Sequence, residues 1–158
     1  MKIEALSPVA TVVCLLLLVA CLGPGDPAPP AKSDAPAYAE HLVREAIAMY
    51  DKLGSAQTLA HYSSPASVDG PWYVFIASKE TERNVAHWDP AIVGRDLNVA
   101  MDSTGYCYGC AFLDETGDGS TVSYLRVNHE TGEEQKKHSF IVLHDGYIFG
   151  AGWYEDIP

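Results

Sequence analysis

The chain has few basic residues. Only 10 of its 158 residues are lysine or arginine, whereas 21 are aspartate or glutamate, and the formal net charge is −11. Because nucleic-acid phosphates need a basic surface, this composition argues against a nucleic-acid partner. It also argues against electrostatic binding to anionic lipid, so any membrane attachment would depend on acyl chains.

The sequence also lacks the common catalytic motifs. It has no G-x-S-x-G elbow, no phosphate-binding lysine loop and no H-E-x-x-H pair, so we predict no catalytic residues and no cofactor. The segment DETGDG at 114–119 begins like a calcium loop, but the acid that closes such a loop would fall at Leu125. His87, His138 and His144 could meet across strands, yet no carboxylate has metal-ligand spacing, and we predict no metal site.

No apolar run is long enough for a typical membrane span. The run at residues 9–20 is shorter than the ~20 residues that a spanning helix needs. It follows the basic Lys2 and ends in small residues, as the hydrophobic part of a secretory signal does.

The tetrapeptide LVAC resembles the lipobox of bacterial lipoproteins, which implies that Cys21 is acylated and begins the mature chain. The alternative is ordinary signal cleavage near Ala20. Either event places the rest of the chain outside the cytoplasm, on the periplasmic side or at the cell surface.

These signals divide the chain into three parts. Residues 1–20 are predicted to be a signal peptide, and residues 21–36 a lipid-anchored linker rich in glycine and proline. Residues 37–158 have the length of one domain that can bury a hydrophobic core, and they contain no internal repeat.

Cysteine is scarce in this domain. Cys107 and Cys110 form a C-x-x-C pair, which in an exported protein has several interpretations. Haem attachment would need histidine at position 111, where alanine stands, and a four-cysteine zinc site would need a second pair. A local disulfide and a reduced structural pair both remain open.

Hydrophobic periodicity predicts an α+β domain. Apolar residues at helical spacing indicate a long helix at 37–53, and a short second helix follows at 55–62. The segment 89–114 is broken by proline and glycine into short helical pieces. About five antiparallel strands are predicted, at 72–77, 84–87, 121–127, 137–144 and 147–154. The long helix is expected to pack on one face of this sheet.

Several blocks together resemble a Cache domain of the single, type 2 form, an extracytoplasmic relative of the PAS fold. They are DGPWYVF at 69–75, AHWDP at 86–90 with VGRDL at 93–97, VSY at 122–124, and KHSF at 137–140 with GAGWY at 150–154. The resemblance covers about residues 38–155. It implies a PAS-like sheet with a pocket for a short organic acid or a similar metabolite.

The resemblance also suggests where a ligand would bind. Family members often hold a carboxylate with a lysine and tyrosines of the later strands, which here correspond to Lys137 and Tyr124. Strand alternation places Lys137 on one face with Ser139, Ile141 and Leu143, so its side chain would point inward; a solvated strand end is the alternative. The remaining candidate ligand-binding residues are Tyr73, Trp72 and His87, each of which could equally be structural.

Two functions of different classes follow from these observations. The first is a lipid-anchored, Cache-like domain that binds a small molecule for signal transduction. Since no output domain is evident, we expect an accessory component that acts with a membrane receptor or kinase partner. The second is a structural or protein-interaction module of the same fold without a functional pocket.

Overall fold

The computed structural model describes residues 28–155 of the chain. The predicted signal peptide, the lipidation site at Cys21 and the first part of the linker, residues 21–27, lie outside the described residues. Within the described part, no helix combines the length and the apolar character that crossing a bilayer requires.

Two helices open the domain. Helix α1 (Ala35–Leu53) begins two residues before the predicted position, because the Asp34 carboxylate accepts a hydrogen bond from the N–H of Ala37 and Pro36 is tolerated in the first turn. The helix ends at Gly54, whose φ of 81° favours glycine. Helix α2 (Ser55–Tyr62) follows with the predicted bounds.

Five antiparallel strands form one sheet in the order β2-β1-β5-β4-β3. The strands are β1 (Val74–Ser78), β2 (Arg83–Ala86), β3 (Ser120–Val127), β4 (Glu134–His144) and β5 (Tyr147–Tyr154). Strand β1 starts later than predicted because Trp72 and Asp69 exchange backbone hydrogen bonds in a tight turn. Strand β4 starts earlier than predicted because Glu134 pairs with Val127. The predicted α+β class is confirmed.

The two faces of the sheet carry separate cores. We call the side that packs on α1 the helix face, and its core includes Val43, Ile76 and Phe149. The opposite side is the cavity face, where Phe75, Phe112 and other apolar residues form a second core. A short 3₁₀ helix (Leu97–Val99) and helix α3 (Tyr108–Leu113) cover part of the cavity face. They belong to the irregular segment that the sequence predicted to be short helical pieces.

Candidate ligand-binding site

A buried lysine lies at the centre of the cavity face. Lys137 is only 1% exposed, and its Nζ donates a hydrogen bond to the Tyr73 hydroxyl at 2.6 Å. The same Nζ lies 4.1 Å from the centroid of the Tyr73 ring and 5.0 Å from that of Tyr154. Among residues 28–155, no aspartate or glutamate forms an ion pair with Lys137. The rings of Tyr73 and Tyr154 therefore occupy positions around the Lys137 ammonium where a carboxylate counter-ion would be expected.

The neighbouring strand makes room for this lysine. Gly152 of β5 lies opposite Ser139, and a Cβ atom at Gly152 would come within 2.9 Å of the Lys137 Cε. A larger residue would therefore push the lysine stem away from the sheet. The glycine allows the long side chain to lie flat along the cavity face.

Strand β3 contributes a second polar group. Tyr124 pairs with Lys137 across the β3–β4 ladder, and its hydroxyl lies 3.0 Å from the Ser139 hydroxyl. Burial raises the pKa of Tyr124 to about 12, so the phenol stays protonated at neutral pH. The Tyr124 ring stacks on Tyr108 of α3 with centroids 4.2 Å apart. This contact links α3 to the sheet.

A second cation lies two residues further along β3. The guanidinium of Arg126 donates a hydrogen bond to the Tyr108 hydroxyl at 2.8 Å, and within the described chain no acidic residue forms an ion pair with it. We did not predict Arg126 from the sequence. The strand period of two places it on the same face as Tyr124, and that signal could have identified it.

His87 lies beside Tyr73, and its imidazole is neutral at neutral pH. The side chain is 6% exposed, and its Nδ1 accepts the backbone N–H of Asp89 at 2.9 Å. Its ring lies edge-on to Tyr73 with centroids 5.1 Å apart. Burial, together with the charges of Lys137 and Arg126, lowers the pKa of His87 to about 4.

Two cavities adjoin these residues. The first, which we call the apolar chamber, has a volume of about 300 Å³, and its walls include Phe75, Leu97 and Phe112. The second, the polar chamber, has a volume of about 320 Å³ and is bordered by acidic and aromatic side chains. Four residues line both chambers: Tyr73, His87, Met101 and Arg126. Lys137 lines neither chamber and adjoins them through its hydrogen bond to Tyr73. Both volumes are close to the lower end of the range of small-molecule sites.

The structure brings together four of the five predicted ligand-binding residues. Lys137, Tyr124, Tyr73 and His87 lie on the cavity face. Trp72 does not join them, because the residue before Tyr73 points to the opposite side of the sheet. It packs in the helix-face core, edge-on to Tyr38 with ring centroids 4.7 Å apart.

The C-x-x-C pair flanks Tyr108, which lines the apolar chamber. Cys107 and Cys110 are joined by a disulfide at the start of α3. Tyr108, which follows Cys107 directly, contacts both Tyr124 and Arg126. The disulfide therefore constrains the helical turn that carries one wall of the chamber.

No protein-family model matches the chain, and no curated protein sequence matches it either. Solved structures do resemble it. A methyl-accepting chemotaxis protein from Vibrio parahaemolyticus has a TM-score of 0.67 at 14% identity, covering 79% of this chain and 91% of that one. A Cache chemosensory domain described for its carboxylic acid recognition has a TM-score of 0.64 at 21% identity, covering 79% of this chain and 96% of that domain.

The periplasmic sensor domain of a chemotaxis protein is a third neighbour, with a TM-score of 0.58 at 22% identity; the match covers 74% of this chain and 88% of that one. These likenesses show the class of fold, which this chain shares with a chemotaxis protein and a periplasmic sensor domain. More particularly, the described chain has the Cache fold, with one helical layer on a PAS-like five-stranded sheet.

Proposed function

We propose that the domain binds a small organic acid on the cavity face and serves in extracytoplasmic sensing. The observation that carries this proposal is the ammonium of Lys137, which is 1% exposed and has no carboxylate partner among the described residues. A buried charge without a counter-ion is costly, and a ligand carboxylate would supply that counter-ion.

The local charge supports an anionic ligand. The whole chain carries a net charge of −11, yet Lys137 and Arg126 both lie on this face without an ion-paired acid among the described residues. Because Tyr73 accepts the hydrogen bond from Lys137, its own hydroxyl proton is left for a ligand oxygen. Two cations and a hydroxyl donor are a suitable set for a carboxylate.

The fold comparison supports the same ligand class. One neighbour of similar fold is described for recognition of carboxylic acids, and two others are chemotaxis proteins or their sensor domains. We propose that this chain is likewise a single Cache domain of the type 2 form and that Tyr124 and His87 border its ligand.

The test is a thermal-shift screen of residues 28–158 with acetate, propionate, amino acids and amines, followed by calorimetry. A ligand that binds only the native state raises stability by RT ln(1 + [L]/Kd), so a carboxylate should raise the Tm in a concentration-dependent manner. The Lys137→Met variant should lose this response, whereas Lys136→Met, on the exposed side of the same strand, should keep it. A flat response across the whole library would contradict the proposal and favour an interaction module without a functional pocket.

We further propose that Cys21 carries the lipid and that residues 21–36 form the tether. The domain would then act as an accessory binding component for a separate membrane receptor or kinase. Metabolic labelling with a palmitate analogue in a Gram-negative host tests the anchor. Wild-type protein should be labelled and sediment with membranes, and Cys21→Ser should do neither. Equal labelling of the two proteins, or label on neither, would contradict lipidation at Cys21.

A further inference from the structure

We propose that the ligand is an amphipathic monocarboxylate, whose carboxylate binds at Arg126 and whose aromatic or branched apolar part fills the apolar chamber. This inference rests on the proposed function and specifies the ligand class of the same site.

The walls of the apolar chamber are aromatic and well packed. The rings of Phe75 and Phe112 stack with centroids 5.3 Å apart, and Phe112 lies edge-on to Tyr124 at 5.7 Å. Leu97, which is 1% exposed, closes the same wall. An apolar group that enters this space leaves water for a surface of rings and methyl groups, which is favourable. A fully hydrophilic ligand would gain nothing there.

Two arginines, Arg95 and Arg126, line this space, and Arg126 is the one that it shares with the polar chamber. Arg126 lines both chambers, and its hydrogen bond to the Tyr108 hydroxyl holds one edge of the guanidinium. The remaining N–H groups can bind a carboxylate through two parallel hydrogen bonds. The ammonium of Lys137, bonded to Tyr73, adds positive potential beside the same position. A ligand with one charged end and one apolar end would satisfy both features.

Acidic side chains oppose a second negative group on the ligand. Asp96 lines the apolar chamber, and hydrogen bonds from the backbone and side chain of Asn98 hold its pKa below the usual range. Asp89 and Asp102 line the polar chamber, and the hydroxyl of Thr104 is the main cause that lowers the pKa of Asp102. Arg95 lines the apolar chamber beside Asp96, and Asp96 also pairs with Arg83, so this acid is partly neutralised. A dicarboxylate would therefore either bury its second charge among the aromatic rings of the apolar chamber or place it near Asp89 and Asp102 in the polar chamber.

The volume also favours a ligand larger than acetate. The apolar chamber of about 300 Å³ corresponds to about ten water molecules at roughly 30 Å³ each. A methyl group would fill little of it, whereas a phenyl ring or a chain of several carbons would displace most of that water.

The closing experiment is calorimetry of residues 28–158 with acetate, butanoate, hexanoate, phenylacetate and adipate. Affinity should rise roughly fourfold for each methylene up to hexanoate, and phenylacetate should bind more tightly than acetate. Adipate has the chain length of hexanoate and a second carboxylate, and it should bind roughly tenfold more weakly than hexanoate. If acetate or adipate binds as tightly as hexanoate, the monocarboxylate assignment is wrong while the proposed function stands. If none of the five acids binds, the monocarboxylate assignment is wrong, and the thermal-shift screen of the wider library decides the proposed function separately.

Two variants test the placement of the ligand. Arg126→Gln should weaken hexanoate by roughly tenfold but leave hexanamide unchanged, and Arg44→Gln, on the exposed side of α1, should alter neither. Ala100→Leu fills the apolar chamber and should weaken hexanoate more than acetate. If Ala100→Leu does not fold, Ile92→Phe fills the chamber from the segment after β2. Equal loss of hexanoate and acetate in the filled variant, or no loss in Arg126→Gln, would overturn the inference.

Discussion

The ammonium of Lys137 donates a hydrogen bond to the hydroxyl of Tyr73, 64 positions away in the sequence, with 2.6 Å between the two atoms. This bond crosses from β4 to the segment that leads into β1, and β5 lies between those two strands. It joins the one nearly inaccessible lysine of the described residues to a tyrosine that lines both chambers.

Lys137→Met should weaken carboxylate binding without unfolding the domain. Replacing a buried charge by an apolar residue of similar length is often neutral or stabilising, so we expect the free energy of unfolding to stay constant or rise by roughly 1–3 kcal/mol. Urea denaturation measures this change, and Lys136→Met is the matched control because Lys136 pairs with Glu155 at the surface. A large loss of stability in Lys137→Met would instead indicate a structural role for the lysine.

Tyr73→Phe should weaken both ligand binding and the fold. The ring contacts remain, but the Lys137 ammonium loses its hydrogen-bond acceptor, which should lower the free energy of unfolding by roughly 1–3 kcal/mol. Tyr62→Phe is the control, since this tyrosine is also buried and lies in the helix-face core. Equal effects of the two substitutions would show that the Tyr73 hydroxyl makes no specific contribution to ligand binding or to stability.

The domain should lose stability as the pH falls through the range set by His87. The folded pKa is about 4 and the ordinary value is 6.5, so below pH 6.5 the unfolded chain takes up a proton that the folded domain excludes. The loss should be complete near pH 4 and reach roughly 3 kcal/mol. Urea denaturation at several pH values measures it.

His87→Gln should remove this part of the acid sensitivity, because glutamine does not titrate. His61→Gln, on the exposed side of α2, should retain the wild-type dependence. A stability profile of His87→Gln that falls as steeply as that of the wild type would contradict the assignment.

Gly152→Ala should displace the Lys137 side chain, although the substitution adds only one methyl group. The new Cβ would lie 2.2 Å from the His138 carbonyl oxygen and 2.9 Å from the Lys137 Cε, so strand and lysine must both shift. We expect a loss of roughly 1–3 kcal/mol in the free energy of unfolding and weaker ligand binding. At Gly117 a Cβ meets no atom within 4 Å, so Gly117→Ala should be nearly neutral in both measurements.

Much of the fold could be predicted from the sequence because its signals are local. The apolar period of α1, the Asp145–Gly146 hairpin and the alternation along β4 each depend on residues close in the chain. That alternation correctly placed Lys137, Ser139 and Ile141 on one face. The bounds of β1 and β4 were less accurate, because long-range pairing and a tight turn set them.

Composition and local pattern alone therefore determined the acidic character and the α+β class, and they left an inward and a solvated position of Lys137 both open. From the sequence, Trp72 and Tyr73 were equally good candidates for the wall of the binding site, since both are aromatic and they are neighbours in the predicted strand at 72–77. The tertiary structure placed Tyr73 against Lys137 and Trp72 against α1. It also brought Arg126 and Tyr108 together from separate elements. Such contacts depend on how the sheet and the covering segment pack, because packing brings together residues that are far apart in the sequence.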